Sequence, residues 1–141
     1  MYCVRFSSFL VAAAPSPTST PTPTVTATNN DIAILNYALT LEHLEANFYT
    51  TFQARFTAQD FINAGFSQQT YDYFNIIQVH EQAHVRGLTA IITQLNGTAV
   101  PECVYNFGVV TDVQSYVTTA RALENTGTMA YDGNVLLDEC F

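Results

Sequence analysis

The amino-acid sequence predicts an all-α fold built around three long helices. Apolar residues recur in steps of three and four along three separate segments, which is the periodicity of the buried face of a helix. Residues that cap or terminate helices lie at the ends of these segments. Strand-like alternation of apolar and polar residues is nowhere sustained across the 141 residues.

The first 29 residues are predicted to lie outside the folded domain. Residues 1–14 combine Arg5 with a short apolar run that ends in small residues, as in a signal peptide, although Pro15 would be a poor first residue of the mature chain. Residues 15–29 hold four of the five prolines and offer no apolar face to bury, so we expect a disordered Pro/Thr-rich linker. These features predict a secreted or cell-wall protein, with a cytoplasmic location if the leader is not functional.

The first long helix is predicted to open the folded domain, which spans residues 30–141. Either Asn30 or Asp31 can cap it, because a short polar side chain there accepts a hydrogen bond from the first turn. A short helical segment follows and is expected to close at Gly65. The buried stripe of the first helix comprises Leu35, Ala38, Glu42, Glu45, Tyr49 and Phe52.

Two further long helices complete the predicted domain. The second spans about residues 68–95 and ends at Asn96-Gly97, a pair that favours helix termination. The third begins near Asp112, after an intervening loop. Their stripes comprise Ile77, Glu81, His84, Leu88, Ile91 and Leu95 in the second helix, and Val113, Val117, Ala120, Glu124, Gly127 and Tyr131 in the third.

Charge and composition argue against two classes of partner. The formal net charge is −8, there is no lysine, and the four arginines are isolated from one another, so we expect no nucleic-acid partner and no attraction to anionic membranes. No apolar run is long enough to span a bilayer. Because Cys3 would leave with a signal peptide, Cys103 and Cys140 are the one pair that could form an intrachain disulfide.

Each of the three stripes carries a glutamate near its middle, namely Glu42, Glu81 and Glu124. A buried carboxylate without a partner costs several kcal/mol or stays protonated. One such residue could reflect a helix rotated slightly outward, but three at similar heights suggest a common cause. A divalent cation would balance all three, because carboxylate oxygens and the imidazole of His84 are suitable ligands.

Two of these glutamates are followed by a tyrosine at the same spacing. Tyr49 lies seven residues after Glu42, and Tyr131 lies seven residues after Glu124. Seven residues make two helical turns, so each tyrosine shares a face with its glutamate and could hydrogen-bond a metal-bound carboxylate. The alternative is that both tyrosines are core aromatics at helical spacing.

The segment VHEQAHVRG, residues 79–87, is compatible with two kinds of metal site. In a zinc metalloprotease, His80 and His84 bind zinc and Glu81 is the general base. In a carboxylate-bridged iron site, Glu81 and His84 are both ligands. The helical phase places Glu81 and His84 near the centre of the stripe and His80 on its shoulder, which favours the iron-type site. The protease is the minor alternative, and a Glu81–His84 hydrogen-bonded pair without metal is the third.

Four segments resemble the ferritin-like domain of fungal stress-response proteins and plant desiccation-related proteins. They are DIAILNYALTLEHLEANFY, AQDFINAGFS, HEQAHVRGLTAII and CVYNFGVVTDVQSYVTTARALENTGTMAY, and their order and spacing also fit. The resemblance implies a ferritin-like up-down helical bundle. It further implies a protein associated with stress responses.

The resemblance also implies a set of metal ligands. Matched to the motifs of the family, Glu42, Glu81, His84 and Glu124 take four ligand positions, and Glu45 is the less favoured candidate on the first helix. The implied cofactor is iron or another divalent metal such as manganese. The parent chemistry is oxygen or peroxide activation, or iron handling, at a di-iron site.

The chain departs from the family pattern near its C-terminus. The fourth helix of the family would carry a second Glu-x-x-His, expected well beyond Phe141. We therefore expect a truncated domain, an incomplete bundle with three of four long helices, and a partial site that holds less than one metal ion per chain. The uncovered apolar face predicts a homodimer or a loss of stability. The main alternative is a non-enzymatic structural or protective scaffold without metal.

Overall fold

The computed structural model describes residues 27–138, and the side chains of residues 27–133. Four helices follow in chain order: α1 (Asn29–Arg55), α2 (Ala58–Asn63), α3 (Gln68–Gln94) and α4 (Val113–Asp138). No strand occurs within this range, so the predicted all-α fold with three long helices is confirmed. In the same range, no helix is both long enough and apolar enough to cross a membrane.

Three predictions concern residues outside the described range. They are the signal peptide at residues 1–14, most of the linker at residues 15–29, and the disulfide between Cys103 and Cys140. Cys103 itself is exposed. The last linker positions are described, and there Thr28 and Asn29 form the cap and the first residue of α1. Helix α1 therefore begins one residue before the predicted start at Asn30.

Short polar side chains fix where α1 and α2 begin. Thr28 caps α1, so the prediction of Asn30 or Asp31 as the cap is wrong. The Thr28 hydroxyl accepts a hydrogen bond from the Asp31 N–H, and the Asp31 carboxylate accepts one from the Thr28 N–H at 2.6 Å. Asp31 is thus the second half of a reciprocal capping pair. Thr57 and Asp60 form the same pair at the start of α2.

The ends of the other helices agree with the sequence signals. Ser67 caps α3, and the Asp112 carboxylate accepts a hydrogen bond at 2.7 Å from the Ser115 N–H at the start of α4. After α2, Gly65 adopts a positive φ of 89°, and after α3, Asn96 adopts a φ of 61°. Both values lie in the left-handed region that commonly terminates a helix.

Helix α1 is the central element, because it packs against both α3 and α4. It runs antiparallel to α3, since Glu42 contacts His84, whereas Tyr49, two turns further along α1, has its ring 5.8 Å from that of Phe74 near the start of α3. Helix α4 also runs antiparallel to α1, as the hydrogen bonds of the candidate site show. Three long helices therefore share one core along α1.

Aromatic rings fill one end of this core. Tyr116 of α4 is fully buried at its centre, and the rings of Phe74, Phe48 and Phe52 lie 5.0, 5.2 and 5.2 Å from the Tyr116 ring. Edge-on and tilted pairs of this kind each contribute about 0.5–1.5 kcal/mol beyond the burial of their area. We call this cluster the aromatic core, and it comprises Phe48, Tyr49, Phe52, Phe61, Phe74 and Tyr116, with Val110, Val113 and Ala120 packed among them.

Two side chains of α1 hold the loop between α3 and α4. Asn36 donates from Nδ2 to the Thr98 carbonyl at 2.9 Å and accepts from the Val100 N–H at 2.8 Å. Arg55 donates to the carbonyls of residues 110 and 111, each at 3.1 Å. These contacts sit at opposite ends of α1, so they fix the path of the loop and the height at which α4 meets α1.

Helix α3 is rotated relative to the predicted stripe. Ile92 is buried, whereas the predicted stripe residue Ile91 is 45% exposed and the His84 side chain is 54% exposed. The buried side of α3 is set by Phe74, Glu81 and Ile92, which face α1. The centre of the buried face is therefore displaced around the helix from the predicted centre. The edge of the predicted stripe that carries His84 and Ile91 is accessible from outside the bundle.

Candidate metal centre

Three glutamates are buried next to the aromatic core. Glu42 and Glu45 lie one turn apart on α1, and Glu81 lies on α3, with exposures of 4%, 7% and 6% respectively. A fourth, Glu124 of α4, is partly buried. We call these four glutamates, together with His84, the carboxylate cluster. Since little water reaches the three buried carboxyl groups, protons, hydrogen bonds or a cation must balance their charge.

The side chains of Glu42, Glu81 and His84 converge on one point. Nδ1 of His84 lies 3.1 Å from Oε2 of Glu42 and 3.1 Å from Oε2 of Glu81. One ligand atom from each residue lies within 4.8 Å of the other two. Glu81 and His84 are three residues apart and thus share one face of α3, while Glu42 reaches them from α1. The structure therefore brings together three of the four predicted ligand residues, and we call Glu42, Glu81 and His84 the convergent group.

The two predicted tyrosines connect α1 and α4 reciprocally. The Tyr49 hydroxyl of α1 donates to Oε1 of Glu124 on α4 at 2.7 Å. The Tyr131 hydroxyl of α4 donates to Oε1 of Glu42 on α1 at 2.6 Å. Each tyrosine therefore serves the glutamate of the other helix. Glu124, the fourth predicted ligand, is held by Tyr49 and stays outside the convergent group.

Burial controls the protonation of the cluster. Burial raises the pKa of Glu81 to about 7, and the nearby Glu42 carboxylate adds to this shift. For His84, burial opposes protonation, but the hydrogen bond and charge of Glu81 and the charge of Glu42 outweigh it and raise the pKa. At neutral pH a proton is therefore readily shared around the His84 nitrogen.

Glu45 has the most strongly altered carboxyl group of the cluster. Burial, followed by the negative charges of three other glutamates, raises the pKa of Glu45 to about 8. No described side chain or backbone group hydrogen-bonds the Glu45 carboxyl group. From the sequence it was the less favoured ligand on α1, because only Glu42 carries the seven-residue spacing to a tyrosine.

The convergent group has the composition of a divalent metal site. Two carboxylates and one imidazole suit iron, manganese or zinc, whose binding would displace the shared proton. Tyr131 already orients the Glu42 carboxylate by a hydrogen bond to its other oxygen. The ligand types, the burial of the two carboxylates and the closeness of the three side chains therefore fit such an ion.

An apolar groove leads from the protein surface to this group. It has a volume of about 440 Å³, and Glu42 and His84 lie along it. The exposure of His84 is explained by this groove, since its ring borders the open side. The remaining lining consists of small or largely apolar residues: Ala83, Gly87, Leu88, Ile91 and Tyr131.

The zinc metalloprotease interpretation lacks its ligand set within the described residues. His80 is exposed and takes no part in the convergent group, which pairs His84 with Glu42 instead. The described range also contains no strand that could line a substrate cleft. Glu102, the next glutamate along the chain after this motif, accepts a hydrogen bond from Asn47 at 2.6 Å on the surface.

The overall pattern has a counterpart among known protein families. The model of the ferritin-like domain matches residues 30–137. The chain belongs to this ferritin-like family. A comparison with curated protein sequences gives no match. The family model covers α1 to α4 almost completely, so the ferritin-like domain includes both the aromatic core and the carboxylate cluster.

Two features of this ferritin-like domain were not predicted from the sequence. One is the central role of Tyr116, which falls outside the predicted stripe of α4. The other is the contact between Glu45 and Gly127, where an added Cβ on the glycine would lie 2.9 Å from Oε1 of Glu45. A signal for the second exists in the sequence, because Gly127 follows Glu124 at the same spacing as Glu45 follows Glu42.

Proposed function

We propose that this ferritin-like protein binds a divalent cation, iron or manganese, through Glu42, Glu81 and His84. The observation that carries the proposal is the convergence of these side chains from two helices, with ligand atoms within 4.8 Å of one another in a largely apolar bundle. Glu124 would supply a further carboxylate from α4. Because the described residues bring three ligand side chains together, we expect weak binding with less than one ion per chain.

The surrounding residues support binding in defined ways. Tyr131 holds one oxygen of Glu42 and leaves the other directed at His84. Tyr49 holds one oxygen of Glu124. A bound iron or manganese ion would supply redox chemistry toward oxygen or peroxide, the parent chemistry implied by the resemblance. The apolar groove would admit small uncharged molecules of this kind to the His84 side of the site.

Elemental analysis of the full chain after incubation with iron, manganese or zinc and removal of free metal tests the proposal. We expect retained iron or manganese that is lost in Glu81→Ala and His84→Ala. His80→Ala is the matched control and should leave retention unchanged, since His80 is exposed and outside the convergent group. Retention below about 0.1 ion per chain, or equal retention in Glu81→Ala, would exclude the site. Zinc retention that depends on His80 would instead support the metalloprotease interpretation.

A non-enzymatic scaffold is the second candidate function. The observation in its favour is that Glu42, Glu124 and His84 already have hydrogen-bond partners without a cation. In that case the addition of metal would leave the free energy of unfolding unchanged in both the wild type and His84→Ala. A metal-dependent rise in the melting temperature of the wild type that disappears in His84→Ala would contradict the scaffold.

We further propose that the outer side of α3 is a homodimer interface. Ile76 and Val79 are 49% and 59% exposed there, and they lie on the same side of α3 as the exposed Ala83. Val79→Arg should convert a dimer to a monomer in light scattering coupled to gel filtration. Val109→Arg, at an equally apolar but isolated loop position, is the control. A wild type that is monomeric at all concentrations would exclude this interface.

Export and a role in stress responses complete the proposal. They rest on the leader-like residues 1–14, on the resemblance to stress-associated proteins, and on the exposed Asn96 of the triplet Asn96-Gly97-Thr98, an acceptor sequence for N-glycosylation. Expression of the full chain in a eukaryotic secretory host should give a secreted product whose N-terminus begins after residue 14. Removal of N-glycans should increase its electrophoretic mobility, and Asn96→Gln should abolish that change. Retention of the whole product inside the cell would contradict export.

A further inference from the structure

Glu45 is a buried carboxyl group that neither the aromatic core nor the convergent group uses. It is 7% exposed, and it has no hydrogen-bond partner among the described residues. The other carboxyl groups of the cluster differ in this respect. Glu42 is held by His84 and Tyr131, and Glu124 is held by Tyr49. Such isolation is unfavourable for a carboxylate, so the position of Glu45 requires an explanation.

The Glu45 carboxyl group rests in a space that exists because residue 127 is glycine. A Cβ at Gly127 would lie 2.9 Å from Oε1 of Glu45, closer than a side-chain carbon normally approaches an oxygen, and 3.6 Å from Oε2, an ordinary contact distance. Glycine inside a helix is about 1 kcal/mol less favourable than alanine. Helix α4 therefore keeps an unfavourable residue at the point where the Glu45 carboxyl group is accommodated.

The charges around Glu45 come from the rest of the carboxylate cluster. Glu124, Glu81 and Glu42 all repel its ionised form. Without a cation, this repulsion favours a Glu45 carboxyl group that stays against Gly127. A divalent cation bound to Glu42 and Glu81 would neutralise their two negative charges, which removes most of this repulsion, and at short range the cation itself would attract an ionised Glu45.

We propose that Glu45 is an additional ligand of the cation and that the space at Gly127 stores its carboxyl group when no cation is bound. This inference rests on the proposed cation site of Glu42, Glu81 and His84. Cation binding would turn Glu45 about its side-chain bonds, away from α4 and toward the cluster. The added ligand is an anionic oxygen, so it favours hard cations such as Mn²⁺ over softer ones.

Titration of the full chain with Mn²⁺, with free Mn²⁺ followed by its electron paramagnetic resonance signal, tests the role of Glu45. We expect Glu45→Gln to weaken binding at least tenfold. Glu45→Asp keeps the charge but shortens the side chain, so it should weaken binding to a similar degree. Wild-type affinity in Glu45→Gln overturns the proposal. Wild-type affinity in Glu45→Asp also overturns it, because charge alone would then explain the effect of Glu45→Gln.

Substitution of Gly127 tests the storage space. In Gly127→Ala the methyl group displaces the Glu45 carboxyl group from its resting position, so Mn²⁺ should bind several-fold more tightly than to the wild type. Gly133→Ala is the matched control on the same helix, since nothing lies within 4 Å of an added Cβ there. Binding in Gly127→Ala that is equal to or weaker than binding in Gly133→Ala overturns the proposal. If Gly127→Ala does not fold, the two Glu45 variants decide the ligand role.

His84→Ala separates the failure of this inference from the failure of the proposed function. Loss of Mn²⁺ binding in His84→Ala with unchanged binding in Glu45→Gln would leave the cation site intact and remove only Glu45 from it. No Mn²⁺ binding by the wild type would overturn both. Circular dichroism of each variant establishes that the helices are retained.

Discussion

The aromatic core and the carboxylate cluster occupy neighbouring stretches of the same buried face of α1. Glu42 and Glu45 lead into Phe48 and Phe52 within three helical turns, and all four side chains are buried. Around Phe48 and Phe52 the neighbouring helices supply aromatic rings, whereas around the two glutamates they supply further carboxyl groups and a histidine. The aromatic core lowers the free energy of the folded state. The carboxylate cluster raises it unless a proton or a cation is present.

Tyr49 forms the boundary between the two regions. Its ring packs against Phe74 and Tyr116 in the aromatic core, and its hydroxyl donates to Glu124 in the carboxylate cluster. Burial and this hydrogen bond raise the pKa of Tyr49 well above its usual value, so the hydroxyl remains a donor at any physiological pH. A single layer of side chains therefore separates the residues that stabilise the fold from those that form the candidate site.

The largest effect is expected where the aromatic core is opened. Tyr116→Ala should lower the free energy of unfolding by about 3–5 kcal/mol, because it removes a fully buried ring that contacts rings from α1, α2 and α3. Urea unfolding followed by circular dichroism measures the change. Tyr116→Phe is the control, since the Tyr116 hydroxyl has no hydrogen-bond partner among the described residues. If Tyr116→Phe were as damaging as Tyr116→Ala, the ring would not be the source of the stability.

A second prediction concerns pH and the carboxylate cluster. The pKa values of Glu45 and Glu81 are raised from 4.5 to about 8 and about 7 respectively. Between pH 4.5 and these raised values, the folded protein holds protons that the unfolded chain has released. The stabilisation is complete below pH 4.5 and is lost as the pH rises through 7 to 8. The raised pKa of His84 acts in the same direction, with stability lost as the pH rises through its folded pKa. Metal-free protein should therefore be less stable toward urea at pH 8.5 than at pH 5.5.

The matched variant for this pH dependence is Glu45→Gln, which should flatten it. Saturating Mn²⁺ should reverse the trend, because cation binding requires the ionised carboxylates that a high pH supplies. A metal-free protein whose stability rises from pH 5.5 to 8.5 would contradict the assignment of raised pKa values to the cluster.

A smaller effect is expected from the hydrogen bond that orients Glu42. Tyr131→Phe removes a donor 2.6 Å from Oε1 of Glu42, so unfolding should become easier by about 1.5 kcal/mol and Mn²⁺ affinity should fall about tenfold. Tyr49→Phe makes the same chemical change at Glu124, outside the convergent group, and should leave Mn²⁺ affinity nearer to the wild-type value. Calorimetric titration compares the two variants directly. Equal losses in both would show that Glu42 and Glu124 contribute equally to the site.

The smallest expected effect lies outside both regions. Thr28→Ala removes the capping hydroxyl of α1 and should lower the free energy of unfolding by about 1 kcal/mol. Mn²⁺ affinity should not change, since Thr28 is more than three turns from Glu42 along the helix. A change in Mn²⁺ affinity would indicate that the position of the whole α1 helix controls the site.

Much of the fold follows from local signals in the sequence. The helical periodicity, Gly65 and Asn96 were sufficient for the number of helices and most of their ends. The cap of α1 was assigned wrongly because several polar residues in a row can each act as a cap, and tertiary context selects Thr28. The rotation of α3 was missed because periodicity defines an apolar stripe but does not show which edge of that stripe a neighbouring helix covers.

The candidate site was predictable as a set of residue types but not as a geometry. Spacing alone brings Glu81 and His84 to one face of α3, and the glutamate of α1 follows from its own stripe. The exchange of hydrogen bonds between α1 and α4 depends on the height at which these helices meet, which the distant contacts of Asn36 and Arg55 help to set. A sequence pattern carries no information about that height.

The reciprocal bonds of Tyr49 and Tyr131 give the molecule an approximate two-fold axis. Exchanging α1 with α4 carries the bond from Tyr49 to Glu124 onto the bond from Tyr131 to Glu42. The same rotation would move α3 to the far flank of α4, where the described residues provide no extensively packed helix. The potential metal ligands are therefore distributed asymmetrically about this axis. Among the described residues, Glu42 has the imidazole of His84 beside it, and Glu124 has no imidazole beside it.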